Sequence, residues 1–128
     1  MKLIVGGAFQ GKAAYGIAMG LIQEEQMKDG AECALEALFS CKGMNHFHLW
    51  VKRALQAGWD LEQLPQRLFL ENPGIVLITD ELGCGVVPMD AFDRTYREQH
   101  GRLCCKLAAM AGQVHRVICG IGTVIKDG

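Results

Sequence analysis

Gly6-Gly7-Ala8-Phe9-Gln10-Gly11-Lys12 has the spacing Gly-x-x-x-x-Gly-Lys. Small residues let consecutive backbone N–H groups converge on a phosphate. A helix opening at the loop adds the positive end of its dipole, and a lysine supplies a mobile charge for β- and γ-phosphates. The pattern makes Gly6, Gly7, Ala8, Phe9, Gln10, Gly11, Lys12 and Ala13 the expected nucleotide-binding residues, with Lys12 also catalytic. Position 13 is Ala, where the motif has a Ser or Thr whose hydroxyl binds Mg²⁺. The alternative is a plain glycine-rich turn between a strand and a helix.

A second candidate lies far along the chain. The apolar run Ile75–Thr79 leads into Asp80-Glu81. A buried strand ending in an acid would bring that acid beside the phosphate loop, where it can hold Mg²⁺ directly or through water. Asp80 is thus the expected metal ligand, and Glu81 the catalytic group that positions the nucleophile. The alternative is an ordinary pair of surface acids at a strand end.

The elements that must carry these residues follow from pattern. Leu3–Val5 reads as a buried strand closed by Gly6-Gly7. Residues 12–28 have helical composition up to Asp29-Gly30. Residues 31–39 fit strand or helix equally, and Lys42-Gly43 marks a turn. Phe47, Trp50, Val51, Ala54 and Leu55 share one face of a helix over 45–57. Asp60 can cap a helix to about Leu70, with Pro65 forcing a later start, and Asn72-Pro73-Gly74 breaks the chain. After Ile75–Thr79 come a Gly83-Cys84-Gly85 turn, a long helix from Pro88 and Asp90 to about Gly112, a strand over Val114–Gly120 and a short partner at Thr123–Ile125. Strands alternate with helices, which predicts an α/β P-loop fold of three layers around a mostly parallel sheet.

Composition bounds the rest. A chain of 128 residues suits a single P-loop nucleotide-binding domain over 1–128. Half of it is apolar, enough for a packed core, and the net charge of −1 argues against nucleic acid or acidic membranes as partners. No apolar run approaches the ~20 residues of a bilayer span, and no secretory signal is visible, so a cytoplasmic location is expected. The six cysteines, Cys33, Cys41, Cys84, Cys104, Cys105 and Cys119, include no Cys-x-x-Cys pair. They read as reduced, mostly buried thiols rather than a zinc site.

The run Ile78-Thr79-Asp80-Glu81-Leu82-Gly83-Cys84-Gly85-Val86-Val87-Pro88 resembles the Asn-Glu-Val-Gly-x-Gly-x-Val-Pro segment of the bifunctional adenosylcobinamide kinase/adenosylcobinamide-phosphate guanylyltransferases. Similarity continues through Arg94-x-x-Arg97, Gly101-Arg102-Leu103, Leu107-Ala108-Ala109, Gly120-Ile121-Gly122 and Ile125-Lys126, and the Gly6–Lys12 loop matches too. The resemblance implies a RecA-like sheet and phosphorylation of adenosylcobinamide with ATP or GTP and Mg²⁺. It also implies GMP transfer through a guanylylated histidine, and a homo-oligomer, commonly a trimer. Arg94 and Arg97 become candidate phosphate or substrate contacts, with ion pairs to Asp93 and Glu98 as the alternative.

Departures from the family are local. The chain is shorter between its first helix and Ile75, where members carry the guanylyl-accepting histidine in a His-x-x-x-Arg type stretch. His46 and His48 are the only histidines there and neither fits that pattern. No catalytic role is assigned to them, to His100, which reads as a solvated helix position, or to His115. Asp80 replaces the family's asparagine, and Cys104-Cys105 stand where polar residues are usual. Two functions are therefore expected in competition: an adenosylcobinamide kinase, or a catalytically impaired homologue that binds nucleotide or corrinoid without guanylyltransferase activity. A third reading is an assembly subunit that uses the apolar stripe of the 90–112 helix.

Overall fold

The structure is a computed structural model, and it describes residues 1–82 and 90–128. The Gly83-Cys84-Gly85 turn and the Pro88 helix start lie outside the described residues.

Strand β1 (Lys2–Gly6) occupies the middle of the sheet, parallel to β4 (Val76–Asp80) on one side and to β5 (Gln113–Ile118) on the other. Beyond β4 lie β3 (Gly43–Asn45) and then β2 (Met27–Asp29), both parallel. Beyond β5 lies β6 (Ile121–Asp127), the one antiparallel strand among the described residues, folded back through Cys119-Gly120. The order β2-β3-β4-β1-β5-β6 is that of an α/β fold with a mostly parallel sheet.

Burial explains the order. Leu3, Ile4 and Ile75 through Ile78 are all buried, as unbroken apolar runs require when helices cover both faces. Alternate residues of each strand feed different faces. Leu3 and Leu77 join Phe47, Trp50, Leu68 and Leu107 beneath α2 (Phe47–Gln56), α3 (Leu64–Glu71) and α4 (Ala91–Met110). Ile4, Val76, Ile78 and Val117 pack on the other face with Ala13 and Tyr15 of α1 (Lys12–Ala18). These are the three expected layers.

Several sequence expectations change, among them Asp60 as a helix cap, since α3 begins after Gln63. The helix expected over 12–28 ends at Ala18, where Gly20 (φ 71°) takes the left-handed backbone that closes a helix. Residues 24–26 form a 3₁₀ turn, and Met27–Asp29 is drawn into the sheet beside β3, so ladder bonds override helical composition. Gly43, expected in a turn, opens β3 by pairing with Met27 and Val76. The ambiguous 31–39 stretch contributes a 3₁₀ turn at Leu35–Phe39. Pro65 sits in the first turn of α3, where its missing N–H has no intrahelical partner to lose. Asp90 caps α4 by accepting from the N–H groups of Phe92 (2.8 Å) and Asp93 (3.1 Å). No helix among the described residues is long and apolar enough to cross a membrane.

Candidate phosphate-binding site

A parallel sheet delivers the carboxyl ends of its strands to one edge, and ligands of open α/β sheets collect there. Here the ends are Gly6 of β1, opposite Asp80 of β4, and Asp29 of β2, opposite Asn45 of β3. The phosphate loop leaves β1 at that edge. Gly6 is tied to its type, because a Cβ there would stand 2.5 Å from the Val117 carbonyl oxygen. Gly11 (φ 80°) turns the chain into α1. The loop is also fastened to the β5–β6 hairpin: Gln10 accepts from the Cys119 N–H through Oε1 (2.6 Å) and from the Gly120 N–H through its carbonyl (2.8 Å). Phe9 stands fully exposed at the tip with φ 59°.

Lys12 is folded inward, with only 8% of its surface exposed. Its ammonium donates to the Gly7 carbonyl and to Asp80 Oδ1, both at 2.7 Å. The lysine of the loop and the acid at the end of β4, 68 residues apart in sequence, are thus brought together. Beside them opens a cleft of about 390 Å³ between the loop and the start of α2, lined among others by Ala13, Asn45, His46 and His48.

His48 holds the other side of Asp80. The Asp80 N–H donates to His48 Nδ1 (3.2 Å), so the ring proton resides on Nε2, which lies 3.4 Å from Asp80 Oδ2. Burial holds His48 below its ordinary pKa, against the opposing pull of Asp80. Tyr96 of α4 fixes the start of α2 by donating to the His48 carbonyl (2.6 Å). His46 occupies the N-cap position of α2, and its ring pairs through Nδ1 with Asp29 Oδ1 at 3.0 Å.

Glu81 is not brought to the cleft. Successive residues of an extended strand point to opposite faces, so once Asp80 turns to the loop its neighbour must turn away. Glu81 instead meets Arg116 at 3.4 Å, and its N–H donates to the Gly6 carbonyl (2.9 Å). It lines a second, more apolar cavity of about 270 Å³ with Leu3, Val5, His100 and Cys104. Arg94 and Arg97 lie in the first two turns of α4 and do not line the phosphate-loop cleft, while Glu98 pairs with Arg102.

His100 differs from its expected solvated position. It is 2% exposed, bonded to Thr79 Oγ1 at 2.9 Å and in contact with Cys104 Sγ, because α4 packs this face on the sheet. Burial, with His48 adding to it, pushes its pKa down to about 4. His115 accepts from the Tyr15 hydroxyl at Nδ1 (2.8 Å) and faces Gln113 Oε1 through Nε2 (3.2 Å). The described cysteines are all free thiols, but Cys105 and Cys119 are exposed rather than buried, one on the outer face of α4 and one in the hairpin turn.

The sequence assigns no role to three residues that line the cleft, Asn45, His46 and His48, or to Asp29, which pairs with His46. They end or follow strands of three residues each, too short to show a period. The one usable signal was His46-x-His48 at the start of an apolar helical face. Among the described residues no cluster of three or more His, Cys, Asp or Glu could cage a metal. A lone carboxylate at the cleft fits Mg²⁺ in the manner that ion prefers, with most ligands coming from phosphates and water.

Comparison with known proteins agrees with this architecture. Residues 25–125 match the family described as cobinamide kinase / cobinamide phosphate guanyltransferase. The bifunctional adenosylcobalamin biosynthesis protein CobU of Salmonella typhimurium is 36% identical over 91 residues, 70% of this chain and 50% of that protein. The protein of the same name from Escherichia coli K12 is 44% identical over 52 residues, 41% of this chain and 29% of its own. The chain thus aligns with half or less of the length of these curated relatives, and the Gly6–Lys12 loop precedes the residues matched to the family. With 25–125 matched, the chain belongs to the cobinamide kinase / cobinamide phosphate guanyltransferase family.

Proposed function

We propose that this chain is a single nucleotide-binding domain over 1–128 that phosphorylates adenosylcobinamide at the expense of ATP or GTP. The observation that carries the reading is the contact of Lys12 with Asp80 at the mouth of the cleft. In the resting site Lys12 spends its charge on Gly7 and Asp80. A triphosphate seated on the N–H groups of residues 6–13 offers that ammonium stronger partners, the β- and γ-oxygens. Lys12 then neutralises charge on the transferring group. Its departure leaves Asp80 Oδ1 available, while His48 still faces Oδ2. Asp80 would hold Mg²⁺, which when bound neutralises phosphate charge. Arg94 and Arg97 remain candidate phosphate or substrate contacts from α4. Glu81, engaged with Arg116, is assigned no contact with the substrate hydroxyl. A cytoplasmic homo-oligomer completes the reading. Guanylyl transfer is left out of it, because the stretch that carries the accepting histidine has no counterpart here.

The test is to incubate the protein with adenosylcobinamide, Mg²⁺ and either nucleotide, and to look for adenosylcobinamide phosphate by mass spectrometry. Product that forms with the wild type and is lost in Lys12→Ala supports the reading. Folded protein giving no product with either nucleotide overturns it.

One observation favours a second reading, a homologue that binds nucleotide with impaired turnover. Ala13 offers no hydroxyl in the first turn of α1. Ala13→Ser separates the two. A large gain in Mg²⁺-dependent turnover marks the wild type as an impaired enzyme, and an unchanged rate shows that the hydroxyl is not what limits it.

A further inference from the structure

The carboxyl edge of the sheet carries a pair of groups that phosphate binding does not use. Asp29 ends β2 and Asn45 ends β3, directly opposite each other. His46 follows with φ 55°, a left-handed backbone that costs a residue other than glycine on the order of 1 kcal/mol. Several contacts hold it there. The His46 N–H donates to Asn45 Oδ1 (2.9 Å), and the Gly30 N–H donates to the Asn45 carbonyl (2.8 Å). Gly30 approaches so closely that a Cβ would lie 2.4 Å from the His46 carbonyl oxygen. From α2, Arg53 clamps the turn after Asp29 by donating to the carbonyls of Gly30 (2.8 Å) and Cys33 (2.7 Å).

These constraints fix one pair. Asp29 Oδ1 accepts the Ala31 N–H at 2.9 Å and lies 3.0 Å from His46 Nδ1. With Nδ1 donating to the carboxylate, the neutral ring has its free lone pair on Nε2. That nitrogen makes no hydrogen bond among the described residues. The ring is 46% exposed and lines the same cleft as Lys12 and Asp80. A plain surface ion pair would need neither the left-handed backbone nor the clamp on its partner's turn.

We propose that His46, oriented by Asp29, is the general base that accepts the proton of the acceptor hydroxyl in this cleft. This rests on the kinase reading and deepens it, since it supplies the role that Glu81 is turned away from. The acceptor oxygen bonds to the γ-phosphorus as the bond from that phosphorus to the β,γ-bridging oxygen breaks. That electron pair leaves on the nucleoside diphosphate. The hydroxyl proton passes to His46 Nε2, and the resulting imidazolium is paired with Asp29 until it returns the proton to water. The ligand class is therefore an alcohol.

The experiment measures turnover and nucleotide affinity together, in the wild type, His46→Asn and Asp29→Asn. Asparagine tolerates a positive φ, so the first variant keeps the local backbone. His46→Asn is expected to lower kcat for adenosylcobinamide phosphorylation by about 100-fold or more, and Asp29→Asn by about tenfold or more. Both should keep the calorimetric Kd for ATP or GTP within about twofold. Turnover of His46→Asn within about threefold of the wild type overturns the base and leaves the kinase reading standing. Loss of nucleotide affinity in parallel with turnover also overturns it, since the pair would then serve binding or folding. A wild type that makes no product overturns both together.

Discussion

His100 gives the packing around the site a measurable consequence. It is buried between Thr79, the residue before Asp80 at the end of β4, and Cys104 of α4. Its pKa falls from 6.5 to about 4, burial being the main cause and His48 the second, against the pull of Asp80. Above 6.5 both the folded and unfolded chains carry this ring neutral, and it costs nothing. Between 6.5 and 4 the unfolded chain binds a proton that the folded chain refuses, so stability falls as pH falls. Below 4 the loss levels off. A gap of roughly 2.5 units corresponds to about 3 kcal/mol, a large share of the roughly 5–15 kcal/mol that holds a domain folded. The assay is urea denaturation at several pH values from 7 to 4, on the wild type and on His100→Gln, whose amide can still reach Thr79. His115, also held low by burial, titrates in both proteins and cancels in the difference, which then reads His100 together with its coupling to His48. The wild type should lose about 3 kcal/mol more than the variant across that window. Two curves that fall in parallel would show that the buried His100 ring imposes no such penalty.

Other consequences follow from the same contacts. Gly30→Ala forces a Cβ to within 2.4 Å of the His46 carbonyl oxygen and should cost about 1–3 kcal/mol, read as a lowered Tm. The same variant should slow turnover more than it weakens nucleotide binding, because the strain falls on the Asp29–His46 pair and not on the loop. Burial pushes the Cys104 thiol up to about 12, whereas Cys105 and Cys119 are exposed. Iodoacetamide at pH 8 should therefore alkylate Cys105 and Cys119 well before Cys104, as peptide mass mapping will show. Gln10→Ala removes the side-chain acceptor of the Cys119 N–H and should loosen the loop from the hairpin. It should weaken nucleotide binding with a loss of stability of no more than about 1 kcal/mol.

Parts of the site that rest on long or distinctive patterns were legible in the sequence. Gly6–Lys12 after an apolar run gave the loop, and Ile75–Thr79 followed by an acid gave its partner, because a fully buried parallel strand is an unbroken apolar run. Asp90 marked the start of α4, which it caps. What escaped depends on pairing between distant strands. Met27–Asp29 looks helical by composition and becomes a strand only because β3 lies beside it. Its conversion places Asp29 against His46, a contact that no local window contains. The orientation of Glu81 was hidden for a different reason. An acidic pair at a strand end names two residues, and only the pleat decides which one faces the loop. His100 was misplaced because α4 is charged along much of its length, and the helix alone does not show which of its polar residues the sheet covers.

Residues 6–13, with Asp80, form the proposed seat for nucleotide phosphates. The most direct measurement is calorimetric titration of the wild type and Lys12→Ala with ATP and GTP in the presence of Mg²⁺. One site per chain is expected for at least one of the two, weakened by about tenfold or more when the ammonium is removed. A wild type that binds neither nucleotide, or a variant that binds as tightly as the wild type, would contradict that assignment.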